Sequence, residues 1–466
     1  MSQTTAPATY ETLALHGGPQ AVPALTGVVE PKVGIEEFLS VAKRFGFTPA
    51  ALERITQAVS NNDFIGDGPN LARYVTAFPT PPAGEQYEAL VREKFDMPFA
   101  LGVNSGTAAL HCACVGVGVG PGTEVIVPAL GFLATAMAVA MAGGIPVFCD
   151  VDASLQMDPT KIEALITPQT VALAPTHYMS NVCDMDPIME IARRHQLKVI
   201  EDCAQGPGAQ YHGRYVGTIG DVGCYSVSAY KIIGGGESGL IVTRDARTFD
   251  RIRQCAEAGG LWRPDRFAHP RYDGELFVGA NYRMSELEAA VDMVQFGKLD
   301  DYCTRYRRVS TRVLRQLQPY REITPQTIND PDGYIGYLLR FFPDTAELAA
   351  KIAEALRAEG IPAEHRGPDH APDWHIARDM MPINLKTGHI PGSSVFDDPR
   401  NAACREHGGY TPGQCPVSED LFGREVYIPL DQWRSEEDCD TIAYGINKVL
   451  TAFCTPDPAG KPWLPM

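Results

Sequence analysis

The sequence predicts an α/β fold: a mostly parallel sheet with helices on both faces, followed by a smaller α+β unit. Three features point there. Six short apolar runs, "EVIVPAL" (124–130), "IPVFCDVD" (145–152), "VALAPTH" (171–177), "LKVIEDCA" (197–204), "VGCYSVSA" (222–229) and "GLIVTRD" (239–245), alternate with helical stretches such as "FLATAMAVAMAGG" and "DPIMEIARRHQ". That alternation builds parallel strands joined by helices that cover the sheet. A long helical region from about 284 to 318 follows, and after it the strand "YIGYLLRFF" and the helix "TAELAAKIAEALRAEG" have the order of a small α+β domain.

At 466 residues the chain is too long for one small core. Its organisation reads as an N-terminal arm over 1–50, a large domain over 51–318 and a small C-terminal domain over 319–466. The arm is rich in Pro, Gly and Thr, with a weak amphipathic patch at "GIEEFLSVAKRFG". Within the small domain, residues 366–416 break the strand-and-helix order with Pro, Gly, His and Trp, as functional lids and insertions do. His365, Arg366, Trp374 and His375 are candidate contacts there for an anionic or polyhydroxylated substrate, and a plain surface loop is the alternative.

Composition excludes some classes. A net charge of -17 repels the phosphate backbone of nucleic acids, while leaving room for a local basic site for a small anion. The twelve cysteines contain no CxxC pair and read as small buried hydrophobes in a reducing compartment. The N-terminus lacks a basic region followed by an apolar core, and no window approaches a membrane span, so a soluble cytoplasmic protein is expected. The eleven histidines show neither metal-ligand spacing with cysteine nor H-E-x-x-H, so no catalytic metal is expected.

In open α/β sheets, ligands bind beyond the carboxyl ends of the strands. Four features fall at such ends. In "VNSGTAAL" (103–110), capping side chains and Gly106 at a helix start offer an anion or phosphate site, though an ordinary helix cap has the same residues. In "VIEDCAQ" (199–205), a hydrophobic strand ends on Glu201 and Asp202; a carboxylate there needs donors or a cationic partner, and a protonated pyridine nitrogen would serve. Phe132, just after the strand at 124–130, is placed to stack on a flat ring, with core packing as the alternative. Finally, in "GCYSVSAYKIIGGGESG" (223–239), Lys231 stands where a β-type run meets a glycine cluster, with Ser226 five residues earlier. A lysine amine condenses with an aldehyde to a Schiff base, whereas a plain exposed lysine would do nothing. Together the four supply what pyridoxal 5'-phosphate requires: a phosphate cradle, a ring stack, a carboxylate for the ring nitrogen and a lysine for its aldehyde.

The ordered set "SGTAAL … EDCAQGPGA … GDVGCYSVSAYK … GGGESG … GANYRMSELEAA" resembles the DegT/DnrJ/EryC1/StrS sugar aminotransferases, within the fold type I pyridoxal phosphate enzymes. The likeness covers about residues 60 to 310 well and the C-terminal "CPVSEDLFGREVYIPLDQWRSEEDCDTIAYGINKVL" more loosely. It implies a mostly parallel seven-stranded sheet, Lys231 as the cofactor lysine, Asp202 as partner of the pyridine nitrogen and Phe132 as the ring stack. It further implies Gln205 near the ring hydroxyl, Gly106, Thr107 and Ser226 at the phosphate, and Asn281 reaching the phosphate of a neighbouring subunit in a homodimer. The activity implied is transfer of an amino group from glutamate or glutamine to a keto-sugar or keto-cyclitol in small-molecule biosynthesis. In the related 3-dehydratases a histidine replaces this lysine, so Lys231 favours transamination. A lyase, epimerase or cyclase on the same fold and a non-catalytic binder are the competing readings. Where the family commonly has "HLYGQPADMD", this chain has "HYMSNVCDMD" (177–186), with Ser180 and Val182 replacing glycine and proline on the substrate side.

Overall fold

The computed structural model describes residues 12–22, 32–64, 69, 71–72, 81–404 and 411–464. Residues 405–410 of the 366–416 segment, and 1–11 and 23–31 of the expected arm, lie outside that set. Among the described residues, those up to Pro69 fall in one compact unit and those from Leu71 onward in a second.

The first unit carries two helices, α1 (Ile35–Arg44) and α2 (Pro49–Ala58). Helix α1 is the amphipathic patch of the sequence; its Gly34 N–H donates to Glu37, and its charges, acidic first and basic last, oppose the helix dipole. Thr48 caps α2 with Pro49 in the first turn, where a missing N–H costs nothing.

The second unit is centred on a seven-stranded sheet. Helix α3 (Ala83–Phe95) leads into β1 (Phe99–Val103), then α4 (Gly106–Val117), β2 (Glu124–Pro128), α5 (Ala134–Met141), β3 (Ile145–Cys149), the short α6 (Pro159–Ile162) and β4 (Thr170–Leu173). Helix α7 (Met185–His195) precedes β5 (Lys198–Asp202), a small ribbon of β6 (Gln210–Tyr211) and β7 (Arg214–Tyr215), then β8 (Val222–Ser226) and β9 (Gly239–Thr243). The strand order is β1-β9-β8-β5-β4-β2-β3. All neighbours run parallel except β9, which is antiparallel to both β8 and β1. All six runs read from the sequence form strands, each two or three residues shorter than its apolar run. The seventh, β1, has the sequence "FALGV", whose Ala and Gly carry little β-type signal. Strands β2, β3, β8 and β9 are buried along their whole length, as expected of strands covered on both faces.

Helix α8 (Ala246–Ala256) packs on α4. The long helical region is two helices, α9 (Glu286–Gly297), capped by Ser285, and α10 (Leu299–Leu314), which begins as α9 ends at Lys298. A second sheet follows, built from β10 (Ile323–Pro325), β11 (Leu338–Pro343), β12 (Glu364–His365) and β13 (Val426–Pro429) in the order β10-β11-β13-β12, all antiparallel. Helices α11 (Ala346–Ala358) and α14 (Glu436–Phe453) enclose its core with Ile352, Leu356, Ile446 and Leu450. Between β12 and β13 the chain forms short helices, α12 (Met381–Asn384) and α13 (Pro416–Arg424), rather than a featureless loop. The N-terminus of α13 is held by Asp150, which accepts from the N–H of Val417 and Ser418 at 2.9 and 2.8 Å.

The twelve cysteines are all buried with free thiols. Among the described residues, no helix is long and apolar enough to cross a membrane.

Candidate active site

The carboxyl edge of the large sheet brings together residues that are far apart in sequence. Strand β5 ends on Glu201 and Asp202, and the pleat sends the two side chains to opposite faces. Glu201 is fully buried and accepts from the N–H of Gly217, Ile219 and Gly220 at 2.7, 2.8 and 2.6 Å, and from His177 Nε2 at 3.1 Å. His177 Nδ1 accepts from Cys183 N–H at 3.1 Å, so its ring proton sits on Nε2 and points at Glu201. His177, Glu201 and Cys203 lie close enough together to suggest a metal cluster, but the Glu201 oxygens and His177 Nδ1 already accept hydrogen bonds from protein donors. This cluster therefore ties the 177–186 stretch and the 217–220 loop to β5.

Asp202 faces the other way. Its Oδ2 accepts from Thr135 Oγ1 at 2.6 Å and its Oδ1 from Ala204 N–H at 3.0 Å. Thr135 lies in the first turn of the alanine-rich α5, where nothing in the sequence singles it out. Phe132, at the entrance to α5, leaves about 41% of its surface exposed, so a face of the ring is free, as a stacking role requires and core packing does not.

Lys231 sits in a turn beyond β8 rather than on the strand. The strand ends at Ser226, and the turn closes with Lys231 N–H donating to Ser228 O at 3.0 Å. The glycines after it are required by packing: a Cβ on Gly234 would lie 2.2 Å from Ser228 O, and one on Gly235 2.5 Å from Asp292 Oδ1. Burial draws the Lys231 ammonium below the ordinary lysine range, and the Asp202 carboxylate opposes that shift. Lys231 lines a cavity of about 240 Å³ together with Gln205, Tyr306, Tyr337 and His375. Gln205 Oε1 accepts from Met179 N–H at 3.0 Å, which turns its amide NH₂ away from that bond and leaves it to donate elsewhere.

Beside β8, Ser105 caps α4 by accepting from Ala108 N–H at 3.0 Å. The N–H groups of Gly106 and Thr107 head the helix and have no intrahelical acceptor. A Cβ on Gly106 would come 2.7 Å from Ser226 Cβ, so only glycine lets the helix start sit against the end of β8. Gly106, Thr107 and Ser226 are thus one cluster. Asn281 stands apart: it is exposed, its Oδ1 accepts from Arg283 N–H at 3.4 Å, and it does not line the Lys231 cavity.

The 366–416 segment reaches this edge by backbone pairing. Leu130 and Ile376 form an antiparallel bridge; Gly131 and Leu133 donate to the carbonyls of His375 and Trp374 at 3.0 and 2.9 Å, and Ala377 N–H donates to Ala129 O at 2.8 Å. Of the four contacts considered in the sequence, only His375 lines the cavity. His365 Nδ1 lies 3.0 Å from Glu425 O, Arg366 is engaged with Glu425 and Asp373, and Trp374 is half-exposed.

The DegT/DnrJ/EryC1/StrS aminotransferase family model matches residues 76–367. The chain is 40% identical over 333 residues to the GDP-perosamine synthase of Caulobacter vibrioides, spanning 69% of this chain and 85% of that protein. It is 37% identical over 294 residues to the L-glutamine:2-deoxy-scyllo-inosose aminotransferase of Streptoalloteichus tenebrarius, spanning 60% and 68% respectively. Among solved structures, NtdA from Bacillus subtilis with bound cofactor PMP superposes with a TM-score of 0.63 at 25% identity, over 80% of this chain and 78% of that one.

Proposed function

This chain belongs to the DegT/DnrJ/EryC1/StrS aminotransferase family, and from that premise we propose that it moves an amino group from glutamate or glutamine to a keto-sugar or keto-cyclitol, with pyridoxal 5'-phosphate as cofactor. The observation that carries the reading is the partly buried Lys231 side chain, which lines one cavity with Gln205 and lies within electrostatic reach of Asp202.

The residues present fit the cofactor. The unspent N–H groups of Gly106 and Thr107, with the Ser226 hydroxyl pressed against them, form a cradle for its phosphate that a Cβ on Gly106 would fill. Phe132 would cover one face of its ring, the Asp202 carboxylate would accept the N–H of its ring nitrogen, and the Gln205 amide would donate to its ring hydroxyl. When bound, the cofactor supplies an electron sink that stabilises negative charge at the carbon bearing the amino group. Thr135 and Ala204 hold the Asp202 carboxylate in place, so that its charge would meet the ring nitrogen of the bound cofactor without having to move. Lys231 Nζ, drawn toward its neutral form by burial, is the base that takes the proton from the substrate carbon and returns it.

Asn281 is assigned to the site of a second copy, in a homodimer with shared active sites; its exposure outside the cavity of its own chain supports this. A cytoplasmic location is supported by the twelve free buried thiols, which a reducing compartment preserves. The small domain is assigned to 319–466, and the start of the second sheet at Ile323 supports that boundary.

The test is the absorbance of the purified protein loaded with cofactor, before and after L-glutamate or L-glutamine, beside a Lys231→Ala variant. The expected outcome is a lysine-bound cofactor band in the wild type, lost with one donor and absent from the variant. A band that neither donor removes would overturn transamination from these donors; no band at all would overturn the role of Lys231.

A further inference from the structure

His375 is a polar group of the Lys231 cavity that the proposed chemistry leaves without a task. It is placed from two directions. Its backbone is locked by the pairing of 374–377 with 129–133, which sets its ring 5.4 Å from the Phe132 ring and 6.2 Å from that of Tyr178. Its ring is oriented by Asp373, whose Oδ1 lies 2.8 Å from Nδ1 and also accepts from the His375 N–H at 2.9 Å.

Asp373 is held in turn. Arg366 Nε lies 3.1 Å from Asp373 Oδ2, and Arg366 also pairs with the buried Glu425 at 2.5 Å while stacking over Phe422 and Tyr427. Although burial opposes it, hydrogen bonds from His375 and the Arg366 charge hold the Asp373 carboxyl below the usual carboxylate range. A carboxylate only accepts, so the proton between the two side chains is on His375 Nδ1. In the neutral ring the nitrogen that remains, Nε2, is an acceptor, and it has no protein donor among the described residues.

We propose that His375, aimed by Asp373, accepts a hydrogen bond from a hydroxyl beside the ketone of the amino acceptor, and that the 366–416 segment thereby selects which keto compounds turn over. The proposal rests on the function proposed above. Its position follows from the lining: His375 and Lys231 face one cavity, so an acceptor whose ketone meets Lys231 presents its neighbouring groups to His375. Asp373 is a positioning residue, acting through His375.

The experiment follows the two half-reactions separately in wild type, His375→Gln, His375→Leu and Asp373→Ala, using scyllo-inosose and 2-deoxy-scyllo-inosose, which differ by one hydroxyl beside the ketone. Glutamine can offer its side-chain oxygen near the place of Nε2, and leucine cannot. The wild type is expected to favour the hydroxylated ketone; His375→Leu should lose about tenfold in kcat/KM for that ketone and lose the preference, while keeping the donor step within about threefold. His375→Gln should restore much of the loss, and Asp373→Ala should fall between the two. An equal loss of the donor step in His375→Leu would overturn the proposal, because His375 would then serve the donor or the fold. So would an unchanged preference between the ketones. If the wild-type donor step runs but neither ketone receives the amino group, the keto-cyclitol part of the acceptor class proposed above fails, and this assignment, made on those ketones, with it; if the donor step itself fails, transamination fails first.

Discussion

The two parts of the candidate site are built in different ways. In one, Asp202, Ser226 and Gly106 sit on or directly beyond strands of the large sheet, and Lys231 follows in the turn after β8. Their positions follow from the strands that carry them. In the other, His375 belongs to no strand or helix of its own; it is delivered by a segment between β12 and β13 and held by one rung of backbone pairing and a row of alternating charges. On the function and the His375 role proposed above, the difference separates two tasks: the part assigned to hold the cofactor in one geometry is carried by rigid elements, whereas the part assigned to distinguish acceptors can be changed with its segment while the sheet stays as it is.

The largest effect should come from the strand side. Asp202→Asn should slow the donor step by about 10²–10⁴-fold in rapid-mixing absorbance, the range for losing a group that governs proton movement. A loss under about tenfold would mean that the sheet edge does not control the chemistry.

Glu201, its neighbour on the opposite face, should affect stability instead. Glu201→Gln presents an NH₂ group to N–H donors and should cost about 2–5 kcal/mol, read from the midpoint of urea unfolding. An unchanged midpoint would show that the tie through His177 is dispensable.

The glycine turn carrying Lys231 packs on Asp292, whose carboxyl burial raises from 3.8 to about 7, with the Ser238 hydroxyl opposing and Glu288 adding to the shift. Because the folded value lies above the unfolded one, the stability it contributes is fully present below about pH 4 and is lost as pH rises through about 7. Asp292→Asn should remove that slope and leave the variant about 2–4 kcal/mol more stable than the wild type at pH 8, but not at pH 4. Parallel unfolding curves at the two pH values would rule this out.

Thr135→Val keeps the volume but removes the hydroxyl that holds Asp202, and should slow the donor step by about tenfold with little change in unfolding temperature. Equal rates in the two proteins would show that Ala204 N–H suffices. The smallest effect is expected on the delivered side: Trp374 contributes its carbonyl rather than its ring to the pairing with Leu133, so Trp374→Ala should leave stability within about 0.5 kcal/mol and the ketone step unchanged. A loss as large as that of His375→Leu would place the indole in the site and blur the contrast between the two sides.

Little of the delivered side can be read along the chain. The six apolar runs, the glycine turn after Lys231 and the pair Glu201–Asp202 are visible because strands and turns depend on residue type over a few positions. Strand β1 is not, because Ala and Gly resemble helix or loop as much as strand. Thr135 is equally silent, being one hydroxyl in an apolar helix.

Local chemistry alone therefore accounts for the covered, mostly parallel sheet, for a carboxylate pair at the end of one strand, for a lysine in the glycine turn after another and for a glycine at a helix start, because burial patterns and turn residues act over short range. Long-range packing settles the rest: which of two adjacent carboxylates meets the site, which hydroxyl steadies it, and which histidine of the 366–416 segment enters the cavity. Those outcomes depend on strand register and on the pairing of 374–377 with 129–133, and contacts between distant segments leave no periodic mark in the order of residues.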